Sequence, residues 1–179
     1  QEIADATHIP LFELKLAVDE FERPKSYALE NFSVVFLKVP TVVKEEIRTS
    51  SLSFVVSENL VVSFRLSEDP VFKKVLGYDA DKLGDMLKKG GTHFFVLVVE
   101  KVVDEFFSKL GDIEDIIDKL EDEVFEKISQ NTIRNIFEVK KTLIYFHKAL
   151  LGNRDAILSL EHIKIKFRNH DQRILRRIY

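Results

Sequence analysis

The sequence predicts an α/β fold of the α+β type, in which a strand-rich first block is followed by helices. Residues 32–39 (FSVVFLKV) are almost continuously apolar and β-branched, which is typical of a buried central strand. The strand pattern stops at Glu68, because Glu68, Asp69 and Pro70 form a typical helix start. Residues 92–128 then place apolar side chains at steps of three and four, which predicts one long amphipathic helix.

Three further strands are predicted after the central one. Residues 42–48 are rich in charged side chains and fit an exposed or edge strand. Residues 51–56 and 59–66 are two short apolar runs separated by polar residues, which predicts a β-hairpin. Within that turn we expect Asn59 to adopt a positive φ, since asparagine tolerates this backbone conformation.

The second block is predicted to contain two short helices and two long ones. The short helices cover residues 68–76, ended by Gly77, and residues 81–89. The long helices cover residues 92–128 and 132–160. A helix of about 35 residues is roughly 50 Å long. Because a compact domain of this size rarely needs such a length, we expect a helical hairpin that projects from the domain or lies against a partner.

The chain is expected to divide into three units. Residues 1–91 form a sheet with short flanking helices, residues 92–160 form the acidic hairpin, and residues 161–179 form a basic segment that is helical from residue 163. The basic side chains of the last unit are Lys164, Lys166, Arg168, Arg173, Arg176 and Arg177. Nucleic-acid binding is not expected, since aromatic and glycine-rich elements are not interleaved with these residues. A position beside a membrane segment fits them better.

The composition is that of a folded domain, and it excludes several classes of function. Of the 179 residues, 45% are apolar and fifteen are Phe, which is enough for a substantial core. The chain has no cysteine, so disulfides, thiolate catalysis and cysteine-bound metals are excluded and a reducing compartment fits. The formal net charge is only −3. Neither a run of 18 apolar residues nor a signal-peptide pattern is present, so we expect no membrane span within this sequence.

The acidic part of the first long helix has two interpretations. Residues 112–126 contain eight Asp and Glu residues and a single base, Lys119. These acids are either a solvated helix face or an electronegative surface that gathers hydrated cations such as Mg²⁺, which sheds its water reluctantly. Because acids near a helix C-terminus oppose the helix dipole, local helix stability does not explain their placement.

No arrangement of catalytic residues is found, so we expect that the chain is not an enzyme. The sequence contains neither a phosphate-binding loop nor an HExxH pattern. Of its five histidines, His93 is predicted to be a capping or partly buried residue and His147 to pack between apolar neighbours. His170 and Asp171 could bind a metal, but adjacent helical residues point about 100° apart, so further ligands would have to come from elsewhere.

An ordered series of segments resembles the CorA-type magnesium and divalent-cation transporters over residues 7–160. The segments are EFERPK at 20–25, ENFSVVF at 30–36, VVDEFF at 102–107, LEDEVF at 120–125, FEVKKTL at 137–143 and NRD at 153–155. None of these segments is as specific as a phosphate-binding loop, so their order carries the resemblance.

The resemblance implies a cytoplasmic domain of such a transporter. Its expected architecture is a mixed sheet flanked by helices (an α/β/α sandwich), then a long helical hairpin and the start of a stalk helix. The family's pore helix ends in a Gly-Met-Asn signature, which this sequence lacks. We therefore expect a soluble part of a protein at the cytoplasmic face of the cell membrane. The full-length protein would be a homopentamer whose membrane segments are not in this chain.

The resemblance also implies a regulatory divalent-cation site between subunits. Such proteins transport Mg²⁺, and also Co²⁺ or Ni²⁺, and they sense Mg²⁺ through carboxylates on two subunits. One carboxylate comes from the helix before the Arg-Pro pair; counting back from Arg23, that position falls at about Leu16, so Asp19 and Glu20 are the nearest candidates here. The other belongs to a Phe-Arg-Asp pattern in the stalk. In this sequence Asn169 follows Phe-Arg, so Asp171 and His170 are the nearest candidates.

Two alternatives stay open. One is a zinc-transporting relative of the same family, with His162 and His170 as candidate ligands for Zn²⁺ or Co²⁺. The other is a scaffold protein whose helical hairpin docks on a partner. An exposed apolar seam along residues 110–124 would favour the scaffold, whereas a seam packed against residues 136–150 would favour the transporter domain.

Overall fold

The described residues form a four-stranded sheet with helices on both faces. The computed structural model describes residues 2–57, 60–66, 71, 74–75, 77, 80–163 and 167–178. The elements in chain order are α1 (Glu2–Thr7), α2 (Leu11–Ala17), β1 (Lys25–Ala28), β2 (Ser33–Val43), β3 (Glu46–Val56), β4 (Val61–Arg65), α3 (Ala80–Lys88), α4 (Gly91–Glu126), α5 (Gln130–Ser159), a 3₁₀ turn (Leu160–His162) and α6 (Asn169–Ile178).

The sheet has the strand order β1-β2-β3-β4, and each neighbouring pair runs antiparallel. The predicted α+β class is therefore confirmed, but the described strands form an antiparallel sheet where a mixed one was expected. The reason is connectivity, since the links between these consecutive strands are too short for the crossover that a parallel pair requires. The predicted pairing of residues 51–56 with the following strand is confirmed, while Asn59 lies outside the described residues.

A two-residue turn of Lys44 and Glu45 joins β2 to β3. The prediction of a separate edge strand over residues 42–48 is therefore wrong. Both turn residues have positive φ, 50° and 68°, as a tight hairpin turn of this kind requires. Glycine or asparagine usually occupies such positions, and their absence concealed the turn in the sequence.

The two faces of the sheet pack against different helices. Val35, Leu37 and Phe54 belong to a large core shared with α4 and α5. Val34 and Phe36 point to the opposite face and join a smaller core with residues of the α1–α2 region, which the sequence analysis did not predict. Since both faces are covered, the central strand is apolar at nearly every position, and the predicted flanking of the sheet by helices is confirmed.

Helices α4 and α5 form the predicted hairpin, and their bounds lie within about two residues of those predicted. Its apolar seam is packed, because Ile113 on α4 belongs to the main core and Leu120, two turns further along, is also buried. Phe106 on α4 contacts Phe146 on α5 edge to face, with ring centroids 5.0 Å apart. A packed seam is the outcome that favours a transporter domain over a scaffold.

Helix α6 lies parallel to the first turns of α4. Asp171 contacts His93, and six residues further along α6 Arg177 pairs with Glu100 at 3.0 Å. The predicted helical start at residue 163 is wrong, because α6 begins at Asn169 after non-helical residues 167–168. The division of the chain at residues 91 and 160 stays a prediction.

The predicted helix over residues 68–76 lies mostly outside the described residues, although Val71, Lys74 and Val75 are helical. The predicted helix over residues 81–89 is confirmed as α3.

Candidate functional site

The loop of residues 18–24, between α2 and β1, carries two of the predicted cation ligands. The side chains of Asp19 and Glu20 are exposed there. Asp19 Oδ1 accepts a hydrogen bond of 2.9 Å from the backbone N–H of Phe21, which fixes the turn locally. The loop therefore presents carboxylate oxygens to solvent from a backbone with a defined shape.

Lys38 anchors this loop to the sheet. Its ammonium donates to the backbone carbonyl of Glu20 at 2.8 Å and to Ser51 Oγ at 2.7 Å, and Ser51 Oγ donates to the same carbonyl at 2.9 Å. Burial lowers the pKa of Lys38, and the negative charges of Glu20, Asp19 and Glu22 offset part of that effect. The Lys38 side chain is thus bound by two oxygen acceptors at the base of the loop that carries the carboxylates.

The main chain of Lys38 is held by Asn153 of α5. The Asn153 side chain donates to the Lys38 carbonyl and accepts from the Lys38 N–H, both at 2.8 Å, and Asn153 is only 6% exposed. This contact is possible because β1 pairs with β2 only as far as Phe36. Beyond that residue, the side-chain amide replaces the missing strand.

The same turn of α5 contacts the end of the loop and β1. Ser26 Oγ donates to the carbonyl of Ala156 at 2.6 Å. Gly152 lies so close to Pro24 that a Cβ atom there would stand 2.8 Å from the proline Cγ. One helical turn therefore packs against the loop, β1 and β2 together.

The other two predicted ligands have different environments. Asp171 is fully buried, and its Oδ1 lies 2.6 Å from Nδ1 of the buried His93. Its Oδ2 has no hydrogen-bond partner among the described residues. His170 is exposed, and its ring centroid lies 6.3 Å from that of His93. As expected for adjacent helical residues, the two side chains point to different surroundings.

These residues do not make a complete metal site within one chain. Among the described residues, no three His, Asp or Glu side chains converge so that they could hold an ion. Asp19 and Glu20 lie on the loop after α2, whereas Asp171 packs against α4 and is closed to solvent. The geometry of one chain therefore fits a regulatory Mg²⁺ only if a second copy supplies further ligands, and the assignment of these four residues stays a prediction.

The acidic half of α4 is a solvated surface. Residues 121–126 are all exposed, and Asp112 pairs with Lys109 at 2.6 Å. One exposed aromatic side chain, Phe125, interrupts this surface. His147 on α5 is also exposed, so the expectation that it packs between apolar neighbours is wrong.

A cleft of about 660 Å³ separates the Lys44–Glu45 turn from the helical hairpin. Its charged rim contains a Glu46–Arg48 ion pair and a Glu138–Lys141 pair at 3.6 Å. Since these opposite charges are already paired with each other, the rim does not select a ligand of one sign.

Two features of this region were missed in the sequence. The contact of His93 with Asp171 joins residues 78 positions apart, and no local pattern announces it. Lys38 does leave a signal, because it is the one charged residue within the apolar run 32–39. A lone charge on a buried strand needs polar partners, and Asn153, Ser51 and Glu20 provide them.

The same fold is found in solved domains of CorA and ZntB proteins. The structure of the soluble domain of CorA from Methanocaldococcus jannaschii matches with a TM-score of 0.86 and 22% identity, covering 99% of this chain and 72% of that one. The ZntB cytoplasmic domain from Vibrio parahaemolyticus matches with a TM-score of 0.73 and 16% identity, covering 98% of this chain and 72% of that one.

The sequence comparison is more specific than the fold. The family model described as CorA-like Mg2+ transporter protein matches residues 1–179. The chain therefore belongs to the CorA-like Mg²⁺ transporter family, and the resemblance found in the sequence is confirmed.

Two curated relatives are cobalt/magnesium transport proteins CorA. The protein from Methanocaldococcus jannaschii is 26% identical over 154 residues, which cover 86% of this chain and 48% of the relative. The protein from Thermotoga maritima is 28% identical over 141 residues, which cover 78% of this chain and 40% of the relative. The chain thus spans half or less of the length of these relatives. Their names describe transporters, which agrees with the prediction that the chain is not an enzyme.

Within the described ranges, no helix combines the length and the apolar character needed to cross a bilayer.

Proposed function

We propose that the chain is the cytoplasmic regulatory domain of a CorA-like divalent-cation transporter. The full-length protein would lie in the cell membrane with this domain at the cytoplasmic face, and it would assemble as a homopentamer. Its substrate would be Mg²⁺, with Co²⁺ or Ni²⁺ as further substrates. The family match over residues 1–179 is the observation that carries this proposal.

The regulatory cation would bind between copies of the chain. Asp19 and Glu20 are suited to this role because they are exposed on a loop whose backbone is anchored. His170 is also exposed, whereas Asp171 would have to leave its contact with His93 before it could bind an ion. We therefore expect Asp19 and Glu20 to contribute more than Asp171 in this conformation.

Regulation of this kind needs only modest energy. Carboxylates that face each other across a subunit boundary repel when no cation lies between them. A two-state gate moves across most of its range for about 5 kcal/mol of differential binding. Five equivalent sites in a pentamer would reach that total with about 1 kcal/mol each.

The test is a titration of Mg²⁺ against the melting temperature of the chain. If Mg²⁺ binds the folded form, a concentration ten times Kd stabilises it by about 1.4 kcal/mol. For a chain of this size, that corresponds to a rise of about 3–6 °C. The variants Asp19→Asn and Glu20→Gln should lose most of this rise, and Glu30→Gln, at another exposed acid, should keep it. At a chain concentration high enough for the copies to associate, no rise at millimolar Mg²⁺, or an equal rise in all variants, contradicts the proposed cation site.

The alternative is a zinc-transporting relative of the same family. The fold likeness to the ZntB cytoplasmic domain is compatible with it, and His162 and His170 are both exposed. Imidazole ligands prefer Zn²⁺ to Mg²⁺. A melting temperature that rises with micromolar Zn²⁺ but not with millimolar Mg²⁺, and that loses this response in His162→Ala and His170→Ala, would favour the alternative.

A further inference from the structure

Among the described residues, Lys38 connects α5 with the 18–24 loop by hydrogen bonds to both. Its main chain is bound at both the N–H and the carbonyl by Asn153 of α5. Its side chain is bound to the carbonyl of Glu20 in the 18–24 loop. The hydrogen-bonded path therefore runs from α5, through one strand residue, to the loop that carries Asp19 and Glu20.

The choice of lysine at this position is not explained by packing. Residues on the same side of β2, such as Val34 and Phe36, are apolar and buried. An apolar residue at position 38 would avoid the cost of removing an ammonium from water. The ammonium does, however, meet two oxygen acceptors, the Glu20 carbonyl and Ser51 Oγ. What lysine adds is the attachment of the loop.

The loop is held at its other end by the same helical turn. Pro24 packs against Gly152, which is adjacent to Asn153. Glu20 is linked to Asn153 through Lys38. A single turn of α5 thus fixes both ends of the segment between Glu20 and Pro24, directly at one end and through Lys38 at the other.

We propose that Lys38 is a positioning residue that transmits the placement of α5 to the loop bearing Asp19 and Glu20. The role of that loop as a cation site rests on the proposed function, but the mechanical link rests on contacts within this chain alone. If the loop binds a cation, displacement of α5 alters the site, and binding in turn restricts α5.

The link can be measured by ¹⁵N relaxation of the backbone amides of residues 19–22 in the 179-residue chain. In the unaltered chain we expect order parameters near 0.85, and in Lys38→Met a fall below about 0.6. Lys38→Arg keeps a donor in place and should restore most of the order. Asn153→Ala should lower the same order parameters although the hydrogen bonds of its side chain go to Lys38 and not to the loop, whereas Asn131→Ala, at an exposed position on the same helix, should not.

The outcomes separate the two parts of the idea. Unchanged loop order in both Lys38→Met and Asn153→Ala overturns the proposal. Reduced order in Lys38→Met alone refutes transmission from α5. If Asn153→Ala does not fold, Asn153→Asp keeps the acceptor for the Lys38 N–H but replaces the donor by an oxygen that repels the Lys38 carbonyl, and it should also lower the order parameters.

A parallel measurement with 10 mM MgCl₂ distinguishes failure of this link from failure of the proposed function. If Mg²⁺ leaves the order parameters of residues 19–22 unchanged in the unaltered chain, the result argues against a cation site on the loop. The variants compared without Mg²⁺ still decide whether Lys38 transmits the placement of α5.

Discussion

Replacing Phe146 by alanine tests whether the helical hairpin is an integral part of the core. Phe146 is 1% exposed and contacts Phe106 edge to face at 5.0 Å. Truncating a buried Phe costs about 3–5 kcal/mol, which includes the cavity left behind. The edge-to-face pair accounts for about 1 kcal/mol of that cost. We therefore expect Phe146→Ala to lower the free energy of unfolding by about 4 kcal/mol.

Urea unfolding followed by circular dichroism measures this change directly. The matched control is Phe137→Ala on the same helix, where the side chain is 61% exposed. The control should change the free energy of unfolding by less than about 0.5 kcal/mol. In a thermal melt, Phe146→Ala should lower the melting temperature by about 8–16 °C. Two variants that differ by less than about 1 kcal/mol would refute the packing described here.

Three further predictions concern other contacts. Asp171→Ala and His93→Ala should each lower the free energy of unfolding by about 2 kcal/mol, because each leaves a buried polar partner unpaired. A double-mutant cycle should give a coupling energy of at least about 1 kcal/mol between the two residues. Strict additivity of the two losses would contradict the contact. Gly152→Ala should lower the free energy of unfolding, measured in urea, by about 1–3 kcal/mol, because the new Cβ meets Pro24. The control Gly111→Ala, with nothing within 4 Å of the new atom, should raise it by up to about 1 kcal/mol. Burial and the hydrogen bond to Glu13 raise the pKa of Tyr27, so in the folded chain this phenol should ionise later than a free tyrosine. Because the unfolded phenol ionises near pH 10, the stability contributed by Tyr27 is present below that pH and falls above it. In Glu13→Gln, ultraviolet titration should show that Tyr27 ionises at a lower pH than in the unaltered chain. An unchanged titration would contradict the role of Glu13 in raising this pKa.

The elements that the sequence predicted well are those with a strong periodic pattern. The apolar steps of α4 fix a helix whose observed bounds, Gly91–Glu126, lie within about two residues of those predicted. The continuous apolar run of β2 is likewise unambiguous. By contrast, the Lys44–Glu45 turn was missed because neither residue is typical of positive φ, and the connection was read as a strand. Short helices such as α1 have few turns from which a period can be recognised.

The site was harder to predict because its contacts join residues distant in sequence. Asn153 and Lys38 are 115 positions apart, and their hydrogen bonds depend on β1 ending where it does. Family resemblance identified Asp19 and Glu20 as candidates, but it gave no information on the lysine beside them. The burial of Asp171 follows from the packing of α6 on α4, which the helical pattern of α6 alone does not specify.

Because α5 is long, a small tilt at the turn of residues 152–156, which packs against the sheet, moves the other end of the helix by a much larger distance. From Gly152 to Gln130 the helix runs 22 residues, or about 33 Å at 1.5 Å per residue. If the helix pivots at that turn, a tilt of about 5° displaces the far end by about 3 Å, comparable to two residues of helical rise. A shift too small to detect near the pivot is thus magnified at the end of the hairpin where α4 and α5 meet. Distance probes attached near Ser129 would report such motion with the greatest sensitivity.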